Sequence, residues 1–295
     1  MQATSVSYKL IRKIKDDRFD PEKLDQYTLL AQLGVRDLQV GVVDSSDRRL
    51  LFFEDYIFND LSSYEELMGV LRTLFESHEL LTAGFWKGVT FSIKNNHLVQ
   101  LPDSLFVASA AADYLRLNAQ SDTDDVVLYC KHHLSDAVSV FDMPGELHRW
   151  IMSLYPNSTV QFIHQSASLI EGVLNESRSF DGTPLFIYVD RFKLHVLSVQ
   201  NNKLVYYNQF VIKQFADYIK YIMLVMKGLN MDQRTSQVVL WGYIGKNSPH
   251  YQEFYKYISN VVFGARPSHL KFGYMFDELQ DHHFLDLYSM NLFNH

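Results

Sequence analysis

Apolar and polar positions along the first sixty residues predict a run of three strands. Tyr27 to Leu33 is apolar and aromatic. Leu38-Gln39-Val40-Gly41-Val42-Val43 alternates, and Asp44-Ser45-Ser46-Asp47 turns it. Leu50-Leu51-Phe52-Phe53 opens a third strand reaching about Phe58. Short spacers of turn-forming residues make this a meander of hairpins. Apolar residues at Leu67, Val70, Leu71, Leu74 and Phe75 then recur at helical spacing, with Asp60 or Ser62 as the cap. Another strand follows at Val89 to Ile93.

The middle of the chain alternates element types. Asn95-Asn96 leads into a strand at His97 to Leu101, ended by Pro102. Ser104 to Leu117 reads as one helix, and the acidic turn Asp122 to Asp125 precedes a hairpin of Val126–Lys131 and Ala137–Phe141. Pro144 opens a helix that runs to Leu154, since proline suits the first helical turn. A strand at Thr159 to Ile163 and a helix at Ser166 to Leu174 close this stretch.

The opening pattern then returns. Strands are predicted at Pro184–Val189, Leu194–Val199 and, after Asn201-Asn202, Lys203–Phe210. A long helix carries Ile212, Phe215, Ile219, Ile222, Met223 and Met226, and Gln237 to Trp241 is a strand. A helix at Tyr251–Val261, a short strand at Leu270–Phe272 and a closing helix through Met290 complete the chain. Strand, strand, strand, helix, strand therefore occurs twice. Leu38-Gln39-Val40 overlays Leu194-His195-Val196, and Arg49 to Phe53 overlays Lys203 to Tyr207.

Composition narrows the class. The 295 residues carry 47% hydrophobic and 21% charged positions, an ordinary globular balance for about two domains. A net charge of −7 argues against nucleic-acid binding, which needs a basic surface. Lys9, Arg12, Lys13 and Lys15 cluster, but Asp16 and Asp17 follow, so a solvated leading segment is expected. The single cysteine, Cys130, excludes an intrachain disulfide framework and sits in an apolar run. Lys and Arg interrupt the first apolar residues, and no apolar run reaches about 18 residues, so a cytoplasmic protein without a membrane span is expected.

Two halves of three strands plus a helix, with Val89 to Pro102 leading into helix, hairpin, helix, strand and helix, resemble the actin-like ATPase superfamily. The chain is similar in this order to the actin-like proteins of type IV pilus assembly and of bacterial division. It also resembles a largely Bacteroidetes family known as domain of unknown function 3822. The resemblance covers nearly the whole chain. It implies an α/β fold of the actin-like ATPase type, a duplicated ribonuclease H-like fold with two related halves and a small inserted subdomain. The first half would be residues 1–96 plus 143–180, the subdomain 97–142, and the second half 181–295.

The resemblance also implies where nucleotide chemistry belongs. Each half of an actin-like ATPase supplies a hairpin whose backbone cradles phosphate, with an Asp for Mg²⁺ and water, and Gly for close approach. Here the first strand-end acid position holds Gly34, with Asp37 at the start of the next strand. Asp190 matches the acid of the second half, but only Arg191, Phe192 and Lys193 separate it from the next strand, and these bulky residues should fill the phosphate space. Val211-Ile212-Lys213-Gln214 stands where a Gly pair is usual. In Leu240-Trp241-Gly242-Tyr243-Ile244-Gly245, Gly242 and Gly245 match the adenosine loop and Tyr243 replaces a Gly. The plainer alternative is that Gly242 ends a strand and Gly245 turns into a helix capped by Asn247 or Ser248.

Other motifs add little. Gly245-Lys246-Asn247-Ser248 lacks the earlier Gly and the hydroxyl residue of a phosphate loop. His132-His133 should point to opposite faces of a strand, and His282 with Asp286 shares a helical face without a second histidine pair, so no metal site is expected. The expectation is a non-catalytic interaction or scaffold protein with an unidentified protein partner, no nucleic acid and no cofactor. The alternatives are a weak ATP-binding protein or ATPase, with ATP/Mg²⁺ at vestigial Asp190, Gly242 and Gly245, and a small-molecule kinase.

Overall fold

The computed structural model describes residues 8–59, 61 and 63–294. In chain order the elements of the first stretch are β1 (Tyr8–Lys15), β2 (Tyr27–Leu33), β3 (Asp37–Asp44), β4 (Arg49–Phe58), α1 (Tyr64–Glu76), α2 (Glu79–Thr82) and β5 (Gly88–Ile93). Then come β6 (Leu98–Pro102), α3 (Ala111–Arg116), β7 (Asp125–Lys131), β8 (Ala137–Pro144), α4 (Gly145–Leu154), β9 (Val160–His164) and α5 (Gln165–Ser177). The rest is β10 (Leu185–Val189), β11 (Lys193–Gln200), β12 (Lys203–Val211), α6 (Phe215–Gly228), β13 (Val238–Gly242), α7 (Pro249–Tyr255), β14 (Val261–Phe263), β15 (Lys271–Phe272) and α8 (Leu285–Ser289).

The chain forms two compact units. The first comprises Met1–Ser168, His269–Glu278 and Met290–His295, and the second Leu169–Ser268 and Leu279–Ser289. Against halves of 1–96 plus 143–180 and 181–295, these units place 169–180 in the second and 269–278 in the first. Leu169, Ile170, Val173 and Leu174 of α5 pack with Phe186, Tyr188 and Trp241 of the second unit. Conversely, β15 pairs with β4 of the first.

The first unit's main sheet has the order β1-β4-β3-β2-β5-β9, with β15 on β4, and the second unit's sheet has the order β12-β11-β10-β13-β14. In each, an antiparallel meander is extended by parallel strands: β2 with β5 and β5 with β9, β10 with β13 and β13 with β14. The inner strands β2 and β10 are buried along their whole length, as strands covered on both faces must be. The two meanders share an irregularity. Pairing slips between Val42 and Val43 on β3 and between Ser198 and Val199 on β11, leaving Leu51 and Val205 as the bulged residues. These are matched positions in the overlay of Arg49–Phe53 on Lys203–Tyr207, so the duplication extends to a β-bulge.

The inserted subdomain has its own three-stranded sheet, β6-β8-β7, with Leu115 and Ala111 of α3 packed on Val138 and Val140. The β5 and β6 strands thus lie in different sheets.

Several local expectations are corrected. Residues 8–15 form a strand paired with β4, where no strand was expected; its side chains are mostly solvated as expected, while Ile14 is buried and Lys13 reaches Glu54 at 2.8 Å. The expected caps Asp60 and Ser62 lie outside the described residues, and Ser63 caps α1 by accepting from the Glu66 N–H. The stretch 104–117 is not one helix. Phe106 and Val107 are extended, which sends the Phe106 ring to Tyr129 at 4.8 Å and into the subdomain core. The predicted helix 251–261 stops at Tyr255, because Ile258 enters the core and Val261–Phe263 pairs with β13. His132 and His133 follow β7 rather than lying on it, and both rings pack on Phe293, at 6.4 and 5.4 Å.

Candidate functional site

Each unit has one turn where a phosphate hairpin is expected. In the first, Leu33 pairs with Leu38, and the Gly34 N–H donates to the Asp37 carbonyl at 2.9 Å. The hairpin is therefore a turn with only Val35 and Arg36 at its tip. The Phe58 N–H holds that tip by donating to the Arg36 carbonyl at 2.8 Å. Asp37 is 2% exposed, and Lys94 Nζ meets its Oδ2 at 2.9 Å. Lys94 directly follows β5, and its N–H donates to the Leu33 carbonyl at 2.9 Å. A Cβ on Gly34 would stand 2.5 Å from Asp37 Oδ1 and 3.3 Å from Lys94 Cδ. Gly34 thus does more than lack an acid: its missing side chain makes room for a buried ion pair.

The second unit repeats this backbone. Val189 pairs with Leu194, and the Asp190 N–H donates to the Lys193 carbonyl at 2.9 Å, with Arg191 and Phe192 at the tip. The Ile212 N–H donates to the Phe192 carbonyl at 3.2 Å, so the residues in place of the Gly pair pin the hairpin. No residue in either turn has positive φ, so neither turn needs glycine for its backbone. Asp190 is 3% exposed and its Oδ1 accepts from the Arg191 N–H at 2.7 Å. Burial, and then the Asp190 charge, push the Tyr218 hydroxyl pKa up.

After β13, the Tyr243 N–H donates to the Val189 carbonyl at 2.7 Å, the bond that Lys94 makes to Leu33 in the first unit. The Tyr243 ring lies under the Arg191 guanidinium, 4.3 Å from centroid to Cζ. In both units the residue after the parallel strand thus turns its side chain onto its own hairpin. Lys94 caps one with charge, and Tyr243 caps the other with an aromatic face.

Asp190 and Gly242 stand together, since Gly242 pairs with Val189. Gly242 has φ +92°, and a Cβ there would come within 2.1 Å of the Val189 carbonyl oxygen. Its glycine is required by backbone geometry whatever binds nearby. Gly245 is different: a Cβ would meet only the Gln280 amide, at 3.8 Å. Ser248, not Asn247, caps α7, accepting from the Tyr251 N–H at 3.1 Å.

His282 fastens this loop from behind. Its carbonyl accepts from the Gly242 N–H at 2.7 Å, and its Nε2–H donates to the Ile244 carbonyl at 2.6 Å. Burial holds the imidazole pKa below its ordinary value, so the ring is neutral at pH 7. Asp286 accepts from the buried Tyr188 hydroxyl at 2.5 Å. Among the described residues no group of three or more His, Cys, Asp or Glu is placed to hold a metal ion.

Sequence reasoning missed Lys94, the stacking role of Tyr243 and a buried polar run at the start of α5. There His164, Gln165, Ser166 and Ser168 are fully buried. His164 Nδ1 accepts from the Ser166 N–H at 3.1 Å, and its Nε2 faces the Asn95 carbonyl at 3.3 Å. The available signal was four polar residues among five at a strand-to-helix junction, His164 to Ser168.

Duplicated meanders with parallel extensions and an inserted small sheet define the actin-like ATPase fold. A crystal structure from Bacteroides thetaiotaomicron VPI-5482, described as having an actin-like ATPase fold and unknown function, matches with a TM-score of 0.76 and 20% identity. That match covers 92% of this chain and 98% of the other. A chain of the PilM–PilN type IV pilus biogenesis complex matches with a TM-score of 0.59 and 10% identity, over 90% of this chain and 97% of that one. The chain belongs to the family described as Protein of unknown function (DUF3822), whose model matches residues 16–261. No curated protein matches it. Among the described residues no helix is long and apolar enough to cross a membrane.

Proposed function

We propose that this protein is a non-catalytic scaffold on an actin-like fold and works by binding a protein partner. The observation that carries the reading is the paired capping of the two hairpins, by Lys94 on Asp37 and by Tyr243 under Arg191. Phosphoryl transfer depends on positioned backbone donors, Mg²⁺ and an acid that orients water. Here both turns are closed on themselves, and the acid position of the first is Gly34. A partner role is in keeping with the similar PilM chain, which sits in a complex with PilN.

Thermal unfolding with and without Mg-ATP tests the proposal. A ligand at about 100 times its dissociation constant stabilises by about 2.7 kcal/mol, so no shift at millimolar Mg-ATP is the expected result. Turnover of about 1 per second or more that disappears in Asp190→Ala would overturn it. A second reading, a weak ATP-binding protein, is favoured by the absence of close backbone contact at Gly245 and by Asp190 at its strand end. It requires a saturable Mg-ATP shift that Asp190→Ala removes.

A further inference from the structure

A cavity of about 520 Å³ opens in the first unit where β2, β5 and β9 begin, at the opposite end of these strands from the Gly34–Asp37 hairpin. Its volume lies in the range of small-molecule sites. Arg48 and Lys87 supply two cations to its lining, and among the described residues no Asp or Glu lines it, in a chain of net charge −7. Hydroxyls of Thr28, Ser45 and Thr159 and the Asn294 amide add neutral hydrogen-bonding groups.

The two cations are not spent elsewhere: among the described residues neither Arg48 nor Lys87 makes an ion pair. Two carboxylates of the same turn have partners of their own. Asp47 faces Arg18 at 3.2 Å and Arg49 at 3.8 Å, and Asp44 Oδ1 accepts from the Ser46 N–H at 2.8 Å and its hydroxyl at 2.6 Å. The backbone holds both cation-bearing residues in place. The Lys87 N–H donates to the Tyr27 carbonyl at 3.0 Å, and the Lys271 N–H to the Arg48 carbonyl at 2.8 Å. The Thr90 hydroxyl donates to Asn294 Oδ1 at 2.7 Å, which orients that amide.

Arg48 also carries strain. It ends the β3–β4 turn with φ +57°, a conformation an arginine adopts at a cost. The matching β11–β12 turn of the second unit uses Asn201 and Asn202, at φ 53° and 59°, and asparagine tolerates this region well. The first unit has placed a cation where the fold's own repeat uses a relaxed turn residue.

We propose that this cavity binds a phosphate dianion carried on a small polar molecule, with Arg48 and Lys87 as the charge partners. Two cations balance a phosphate monoester, and the hydroxyl and amide lining suits a hydrophilic remainder. The site is independent of the capped hairpins.

Isothermal titration calorimetry of the full chain tests it, using glucose 6-phosphate, inorganic phosphate and glucose. The expected result is saturable binding of the phosphate compounds and none of glucose. The phosphate ester binding tighter than inorganic phosphate supports an esterified ligand; equal or weaker affinity would overturn it. Arg48→Asn and Lys87→Gln should each weaken binding at least about tenfold, and Lys220→Gln, at a lysine that does not line the cavity, should leave it unchanged. Arg48→Asn keeps a residue suited to the left-handed turn, so an unchanged or raised Tm separates lost binding from lost folding. Absence of saturable phosphate binding, or binding unaltered in the Arg48→Asn/Lys87→Gln double variant or equally weakened by Lys220→Gln, would overturn the assignment.

Discussion

The hairpin joining β2 to β3 and the one joining β10 to β11 share a backbone and differ in where their charge sits. Both are two-residue turns closed at 2.9 Å, and both are pinned at the tip by an N–H from the end of the third strand. In the first the carboxylate is Asp37, after the tip, and its partner is Lys94. In the second the carboxylate is Asp190, before the tip, and the matching later position is Lys193. The residue that closes each hairpin has changed from a lysine to a tyrosine. Two different chemistries thus occupy one structural position. At this position each unit turns an unrelated side chain onto its own hairpin, a lysine against a carboxylate in one and an aromatic ring under a guanidinium in the other.

The largest expected effect lies in the first hairpin. Lys94→Met takes from buried Asp37 the ammonium that it meets at 2.9 Å, and removing one member of a buried ion pair costs about 3–5 kcal/mol. Asp37→Asn with Lys94→Met removes both charges and should recover most of that loss, because the desolvation of each ion is removed with its attraction. Urea unfolding of the two variants and the wild type checks this. A double variant as unstable as Lys94→Met would mean that the pair is not what fills the space above Gly34.

The second hairpin should be less sensitive. Arg191 lies at the half-buried tip, and a stacked guanidinium is worth about 0.5–2 kcal/mol. Arg191→Ala and Tyr243→Ala should each lose about that much, and the double variant little more than either, since they share one contact. Fully additive losses in a double-mutant cycle would show that Tyr243 is held by His283 and Phe284, at 5.8 and 5.5 Å, and not by Arg191.

Most of the architecture was legible because duplication doubles a weak signal. The overlay of Arg49–Phe53 on Lys203–Tyr207 identifies positions that share even a β-bulge. Elements whose hydrophobic pattern is incomplete were lost. Tyr8–Lys15 buries only Ile14, so a charged edge strand looks like a solvated segment. Phe106 breaks a helical pattern because its ring serves the subdomain core, a tertiary demand that periodicity does not encode. The site was half legible for a related reason. Asp190 and Gly242 follow from strand ends, which sequence patterning locates. The Lys94–Asp37 pair joins residues 57 positions apart, and only the parallel pairing of β2 with β5 brings them together.

The smallest expected effect separates the two closures by pH. His282 holds the Gly242–Gly245 loop through its carbonyl and its Nε2–H, and burial depresses its pKa; Asp281 opposes that shift, and Lys246 reinforces it. The His283 ring, 4.8 Å away, also faces it. A depressed histidine binds fewer protons folded than unfolded, so its contribution is complete above the unfolded value of about 6.5 and is lost as pH falls through the folded one. Protonation costs the neutral ring its buried environment, and the loop bearing Tyr243 loosens. The first hairpin is closed instead by a lysine–carboxylate pair. Wild type should therefore lose stability on acidification from pH 7.5 towards 5.5 more steeply than His282→Gln, whose amide can still donate to the Ile244 carbonyl. Intrinsic fluorescence during urea unfolding at each pH measures the difference. Parallel pH profiles for the two proteins would remove His282 as the source of the acid sensitivity.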